Sequence, residues 1–248
     1  MITVKSQQEL QRMRQAGRIV AEVLEGLAER AKPGVTTASL DSWAERLIRK
    51  RGGVPSFKGY RGYPASVCIS IDEEIVHGIP GRRHLREGEI VSMDVGVIYN
   101  GYQGDAAITV GVGQIGPVAA ELLRVTQEAL AAGIAAARAG RRLGDVSHAI
   151  QVVAESQGYG IVRDYVGHGI GREMHEDPQI PNYGPPGQGP LLRAGMTLAL
   201  EPMVTVGDYQ TRLLENMWTV VTADGSLSAH FEHTVAVTDG EAVILTCL

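Results

Sequence analysis

Hydrophobic residues recur at helical spacing in two segments near the start of the 248-residue chain. Ser6 opens the sequence of a capping box, and apolar positions follow at helical intervals between residues 10 and 27. The sequence Lys-Pro-Gly at 32–34 ends this first helix. Thr37 is suited to cap a second helix, which the glycine pair at 52–53 ends. The pattern therefore predicts two consecutive helices, each with one buried face.

The same layout returns in the second half of the chain. Pro117 opens an alanine-rich helix that is predicted to end at Gly140, and a shorter helix runs from about Asp145 to Gly158. The two stop signals follow their counterparts in the first half by the same 106 residues. This shared offset is compatible with an internal duplication and also with coincidence.

Segments with the pattern of strands lie between and after the helix pairs. They read "SVCISI", "EIVSMDVGVIYNGYQGDAAITV", "MTLALEPMV", "WTVVTADGSLSAHFEHTVAVT" and "AVILT". Asn100-Gly101 and Asp224-Gly225 are strong signals for hairpin turns. No linker divides the chain. The sequence predicts a single α+β domain over residues 1–248, with two similar halves, strands gathered centrally and helices outside.

Composition narrows the classes of partner. A formal net charge of −5 disfavours nucleic acid, because phosphate binding usually needs a basic face. The two cysteines, Cys68 and Cys247, provide neither a disulfide framework nor a CxxC zinc site. The first residues lack the apolar core of a signal peptide, and no apolar run is long enough to span a membrane. The expected location is the cytoplasm.

Four acidic residues lie in apolar strand segments, where a carboxylate is costly unless it is paired or bound to a metal. They are Asp94, Asp105, Glu201 and Glu232. Each one alone is most simply an outward-facing side chain. If all of them converge, cations are needed to offset their repulsion, and together with an imidazole they would suit two divalent ions ~3.5–4 Å apart.

The stretch "GHGIGREMHEDP" offers the imidazole. His168 and His175 lie seven residues apart, which would place them on one face of a helix, but three nearby glycines disfavour a helix. The context of a phosphate-binding loop is missing. Spacing alone favours a looped backbone near a ligand. His77, at a strand end, is a further site candidate, and the remaining histidines are expected to be surface or structural residues: His84, His148, His230 and His233.

The whole set of motifs resembles the type I methionine aminopeptidases. The stretches that carry the resemblance are "VHGIPG", "DVGVIYNGYQGD", "GHGIGREMHEDPQI", "GMTLALEPM" and "SLSAHFEHTVAVT", in the order of the family. The resemblance implies a pita-bread fold, with two pseudo-symmetric halves around a central antiparallel sheet. It also implies removal of the initiator methionine from nascent chains, preferentially when the second residue is small.

The resemblance implies two divalent metal ions per chain. Asp105 and Glu232 would bridge the two ions. Asp94 would complete the coordination of one ion, and His168 and Glu201 would complete that of the other. This donor set favours cobalt, manganese or iron, and zinc is also compatible with it. Water between the ions would become the nucleophile, with Glu201 as the candidate that shuttles its proton.

The resemblance also implies residues that contact the substrate. His175 would help to stabilise the tetrahedral oxyanion, and His77 would contact the substrate near the scissile amide. The candidates to line the pocket for the methionine side chain are Tyr60, Tyr63, Cys68 and Trp218. A monomer is expected, and association with the ribosome would suit the role.

Several positions depart from the usual pattern of the family. They are Asn100, Gln103, Ala106, Ala107, Met174 and the run 198–200. None is a metal position, so these departures bear on the surrounding hydrogen bonds, the metal affinity and the shape of the pocket.

Three other classes remain as alternatives. Aminopeptidase P and prolidase use a similar metal set, but they carry a large domain before the catalytic one. Type II methionine aminopeptidases are disfavoured because no long insertion separates His175 from Glu201. A non-catalytic binding protein on this fold would typically have lost metal ligands, and this chain retains all five.

Overall fold

The computed structural model describes residues 2–248, and its helices follow the predicted pairs. They are α1 (Gln7–Arg30), α2 (Thr37–Lys50), α3 (Pro117–Ala136) and α4 (Leu143–Ser156). Both hydrogen bonds of the predicted capping box are present at Ser6. No helix among residues 2–248 is long and apolar enough to cross a membrane.

Three predicted helix boundaries, two starts and one end, are wrong by one to four residues. Thr36, not Thr37, caps α2, because the Thr36 side chain accepts the backbone N–H of Ser39. α4 begins before Asp145, whose carboxylate accepts the N–H of Arg142 and so lies inside the first turn. α3 ends at Ala136, before the predicted stop at Gly140.

Fifteen strands lie among residues 2–248. In the first half they are β1 (Val54–Pro55), β2 (Cys68–Ile71), β3 (Glu74–Val76), β4 (Ile90–Tyr99) and β5 (Tyr102–Gly111). The second half begins with β6 (Gly160–Ile161), β7 (Gly167–Gly169), β8 (Glu176–Ile180), β9 (Thr197–Leu200) and β10 (Met203–Thr205). It ends with β11 (Thr211–Leu213), β12 (Val220–Thr222), β13 (Ser228–His230), β14 (Glu232–Ala236) and β15 (Val243–Ile244).

A nine-stranded antiparallel sheet crosses both halves in the order β1-β4-β5-β14-β9-β7-β8, with β2 beside β4 and β15 beside β14. The Asn100-Gly101 hairpin is confirmed, and both turn residues have positive φ, as a tight hairpin requires. The hairpin predicted at Asp224-Gly225 is wrong. The chain does turn there, but β12 pairs with β3 and β11 while β13 pairs with β10.

The two helix pairs repeat at the offset seen in the sequence. α4 begins and ends 106 residues after α2, and α3 ends 106 residues after α1. Equivalent turns follow, in which Gly34 donates its N–H to Leu85 and Gly140 donates its N–H to Leu192. Both glycines have positive φ. The repeated geometry supports an internal duplication over coincidence.

Alternation along the strands separates two faces of the sheet. On β4, Met93 and Val95 belong to the apolar core formed with α1 and α2. On β9, Leu198 and Leu200 belong to the matching core formed with α3 and α4. The residues between them therefore point to the opposite face, which carries the polar side chains.

Gly104 allows α1 to pack closely on the helix-facing side of β5. A Cβ at this position would lie 2.7 Å from the backbone nitrogen of Gly17 in α1. We expect Gly104→Ala to lower the free energy of unfolding by about 1–3 kcal/mol, because the helix backbone must move away. Urea denaturation measures this change. Gly81→Ala is the control, since its Cβ meets no atom within 4 Å; equal losses in both variants would contradict the packing argument.

Candidate metal centre and pocket

Three of the predicted acids lie on the polar face of the sheet because of their register. Asp94 on β4 lies opposite Ala107 on β5, and Glu232 on β14 lies opposite the same alanine. Asp105 lies two residues before Ala107, opposite Gly96. Directly paired residues and residues two apart point to one side of a sheet, so the three carboxylates share one patch.

The second half of the chain supplies the other two predicted ligands. His168 on β7 pairs with Ala199 on β9, and Glu201 follows Ala199 by two residues on the same side. His168 Nε2 lies 3.6 Å from Glu201 Oε1 and 3.8 Å from Asp105 Oδ2. Ligand atoms of Asp105, His168 and Glu232 all lie within 4.8 Å of one another. The five predicted metal ligands therefore converge.

The expected looped backbone at His168 is wrong, because residues 167–169 form β7 between β8 and β9. A Cβ at Gly169 would lie 2.0 Å from the carbonyl oxygen of Asp177, and one at Gly167 would lie 2.4 Å from that of Ala199. The glycines thus permit close approach of the neighbouring strands, and this approach places His168 against the acids.

Burial makes the carboxylate patch electrostatically costly. Burial raises the pKa of Asp94 to about 7, and it raises the pKa values of Glu201 and Glu232 well above their usual range. Burial also raises the pKa of Asp105, and the charge of Glu232 raises it further. These pKa shifts mean that the four carboxyl groups cannot all be deprotonated together unless a cation compensates their charge.

The donor atoms fit a divalent metal. Asp94 Oδ1, Asp105 Oδ1 and Glu232 Oε1 are buried and have no hydrogen-bond partner among residues 2–248. Orphaned buried oxygens are rare in stable proteins, and metal coordination would satisfy them. The set is rich in oxygen, with His168 as its imidazole, which suits first-row divalent ions.

His175 lies beside the carboxylate patch and not within the group of metal donors. Its Nδ1 is 2.9 Å from the hydroxyl of Tyr60, and the Tyr60 ring stacks on the imidazole. The ring centroid of His175 lies 4.3 Å from the ring centroid of His168. Burial lowers the pKa of His175, so the neutral ring is favoured. If Tyr60 donates to Nδ1, the ring proton lies on Nε2, from which it can be donated.

His77 also lines the pocket and has an uncommon backbone conformation, with φ of 61°. Its ring makes edge contacts with Tyr165 and Trp218, at centroid distances of 5.8 and 6.5 Å. Burial lowers the pKa of His77 to about 4. A strained, neutral imidazole in a cleft is typical of a functional residue.

All predicted site residues line one pocket. They are Tyr60, Tyr63, Cys68, His77, Asp94, Asp105, His168, His175, Glu201, Trp218 and Glu232. Two further lining residues, Phe57 and Arg61, were missed; both lie in the "SFKGYRGY" segment that holds Tyr60. Their exposure to the pocket depends on the turn at 59–62, which the sequence pattern does not reveal.

Of the two alternatives expected for His230, surface or structural, the structure excludes the surface position. The residue is 1% exposed and lies beside Glu201 and Glu232. Its position two residues before Glu232 was the available signal. The other histidine predictions are consistent with the structure: His84 is exposed, His148 is half-buried on α4, and His233 lies within hydrogen-bonding distance of Thr246.

Two of the unusual residues have clear environments. Ala107 is buried opposite both Asp94 and Glu232, so it offers no hydroxyl to the carboxylates. The Gln103 side chain accepts a hydrogen bond from Ser56 Oγ at 2.7 Å. This bond connects β5 with the loop that follows β1.

A partly buried ion pair fixes the loop that carries His175. Lys5 Nζ lies 2.7 Å from Glu176 Oε2, and their side chains are 6% and 14% exposed. The other carboxylate oxygen of Glu176 accepts the N–H groups of Arg172 and Glu173. Glu176 therefore connects the N-terminal segment with the turn directly before His175.

Comparisons with known proteins agree with this geometry. The model of metallopeptidase family M24 matches residues 11–239. A methionine aminopeptidase of Clostridium acetobutylicum is 58% identical over 247 residues, covering 99% of each chain. The structure of a methionine aminopeptidase from Thermotoga maritima is 49% identical and covers 100% of both chains with a TM-score of 0.99. The structure of a prolidase from Pyrococcus furiosus is 22% identical, and the match covers 99% of this chain and 65% of the prolidase chain with a TM-score of 0.81. At this identity the likeness shows the fold alone. The predicted pita-bread fold is confirmed.

Loss of Lys5 tests the anchoring pair. We expect Lys5→Met to lower the free energy of unfolding by about 1–3 kcal/mol, because the partly buried Glu176 carboxylate loses its cation but keeps its other hydrogen-bond donors. Arg49→Met is the matched control; it breaks an exposed pair with Glu45, for which a loss of about 0.3–0.5 kcal/mol is typical. Urea denaturation of both variants provides the comparison, and similar small losses would show that the anchor is unimportant.

Proposed function

The chain belongs to metallopeptidase family M24 and, within it, to the methionine aminopeptidases, and from this premise we propose how its residues remove an N-terminal methionine. The observation that carries the proposal is the convergence of five metal-type donors in one pocket, with His77 and His175 beside them. We treat residues 1–248 as one catalytic unit, because strands from both halves build the site.

The order of strands supports a centre with two divalent ions. Across β4, β5, β14, β9 and β7, the donors come in the order Asp94, Asp105, Glu232, Glu201 and His168. Asp105 and Glu232 are neighbours in this order and would hold both ions, whereas Asp94 at one end and Glu201 with His168 at the other would each hold one ion. Cobalt, manganese and iron suit this set, as does zinc. Divalent ions supply Lewis acidity and lower the pKa of bound water.

The residues that line the pocket have distinct tasks. The Glu201 carboxylate accepts the proton of the attacking water and delivers it to the leaving amine. His175 donates from Nε2 to the oxyanion that develops from the carbonyl, with Tyr60 holding the ring. His77, which also lines the pocket, contacts the substrate near the scissile amide.

The methionine side chain binds against the apolar wall of the same pocket. Tyr63 and Cys68 are buried there, and Trp218 contacts the Tyr63 ring edge-on at a centroid distance of 5.1 Å. Cys68 lies opposite Asp94 in the sheet, so the apolar wall adjoins the metal donors directly. This arrangement supports binding of the methionine side chain with the adjoining amide within reach of the catalytic groups.

The physiological substrates are the N-termini of nascent chains with a small second residue. This assignment rests on family membership. The proposals that the protein acts in the cytoplasm, as a monomer and in contact with the ribosome have the same basis. An Xaa-Pro activity is the second candidate, because the prolidase fold is shared. The identity of 58% with a methionine aminopeptidase favours methionine.

Peptide hydrolysis distinguishes these substrates. With added manganese or cobalt, we expect rapid cleavage of Met-Ala-Ser, much slower cleavage of Met-Lys-Ser and no cleavage of an Ala-Pro peptide. Chromatography of the released amino acid measures each rate. Cleavage of the Ala-Pro peptide alone would overturn the assignment, and equal rates for the two methionine peptides would refute the preference for a small second residue.

Replacement of His175 tests its separation from the metal donors. We expect His175→Ala to lower kcat by about 10²–10³-fold, the typical effect of losing one oxyanion donor. Its bound metal, measured by elemental analysis, should equal that of the wild type. His84→Ala, at an exposed loop position, is the control and should keep both properties. Metal loss in the His175 variant would show instead that the ring is a ligand.

A further inference from the structure

His230 is a buried imidazole beside the metal donors that the proposed mechanism does not use. The residue ends β13 and is 1% exposed. Its backbone is fixed by one hydroxyl, since Thr109 Oγ1 accepts the His230 N–H at 2.9 Å and donates to its carbonyl oxygen at 2.8 Å. A backbone held on both sides gives the ring a defined position.

The ring of His230 points into the carboxylate patch. Its Nε2 lies 3.8 Å from Glu201 Oε2 and 3.9 Å from Glu232 Oε2. This nitrogen has no hydrogen-bond partner within the described range 2–248. The spacing resembles that of His168 Nε2 from its own two acids, at 3.6 and 3.8 Å. The two imidazoles therefore approach Glu201 through different oxygen atoms.

Nε2 of His230 could either coordinate a metal ion through its lone pair or donate a hydrogen bond through an N–H. A lone pair on Nε2 would repel the two facing carboxylate oxygens unless a cation lay between them, whereas an N–H would attract them. His230 faces Oε2 of Glu201, whereas the proposed ligand His168 faces Oε1 of the same carboxylate. Carboxylates that bind metals are themselves usually held by outer hydrogen bonds. The arrangement favours donation over coordination.

We propose that His230 is a positioning residue whose Nε2–H donates to the carboxylates of Glu201 and Glu232 and orients them for the metal ions. The inference rests on the proposed metal centre. Glu201 would then be held at two points, because the side-chain amide of Asn182 donates to its backbone oxygen at 3.0 Å. A movement of less than about 1 Å brings His230 Nε2 to hydrogen-bonding distance.

The affinity for Mn²⁺ or Co²⁺ alone, measured by calorimetric titration of the full chain, tests this role. We expect His230→Leu to weaken metal binding by about 10–100-fold, the usual effect of losing an outer hydrogen bond. His230→Gln should restore affinity to within a few-fold of wild type, because its amide N–H can replace Nε2–H. The Co²⁺ absorption spectrum of the Gln variant should match that of the wild type, since no ligand has been exchanged.

The controls separate this inference from the proposed function and from misfolding. His233→Gln is matched in chemistry, lies beside Thr246, and should bind metal as the wild type does. Thermal unfolding of each metal-free variant checks its fold, and His230→Met replaces the Leu variant if that one fails to fold. A wild type that binds no metal would refute the metal centre itself.

Two results would overturn the inference while leaving the metal centre intact. One is wild-type metal affinity in the folded Leu or Met variant, which would mean that the ring does not act on the carboxylates. The other is a Gln variant that loses as much affinity as Leu and has an altered Co²⁺ spectrum, which would make His230 a ligand. Weakened binding in the apolar variant with rescue by Gln supports the donor role.

Discussion

The mutual repulsion of four carboxylates on one face of a sheet is the constraint on which the rest of the structure depends. Asp105 and Glu232 are almost completely buried, and their oxygen atoms include orphaned acceptors. Burial and neighbouring charges raise the pKa values of these groups, so folding without a cation requires protonation. A patch that is unfavourable by itself becomes favourable when divalent ions bind.

The antiparallel sheet provides such a patch through its regular alternation. One side of each central strand packs on helices, as Met93 does on the first pair and Leu198 does on the second. The other side then presents every second residue to the pocket. Rigid neighbouring strands hold the carboxylates in fixed relative positions, and this rigidity lets them act as a preorganised metal site.

Much of this arrangement could be predicted from the sequence. The acids were identifiable because polar residues such as Asp94 interrupt strongly apolar strands, and the helix pairs were identifiable from their caps and stops. Ligand identity and roles came from the family resemblance, since spacing alone could not distinguish His168 from His175. Strand pairing was harder, because Asp224-Gly225 has the local form of a hairpin while its flanking strands find partners far away in the sequence. The contact of His230 with Glu201 was missed for the same reason, because Glu201 lies far from His230 in the sequence, although the nearby Glu232 offered a local signal.

The site also links the two halves of the chain. The first half contributes Asp94 and Asp105, and the second contributes the imidazole and two further carboxylates, so neither half contains the complete donor set. The repulsion acts across the junction of β5 with β14, where the halves meet. Metal ions bound between these strands would convert that repulsion into attraction at the junction. Because ligands that bind only the folded state stabilise it, metal binding should strengthen the contact between the halves as well as supply the chemistry.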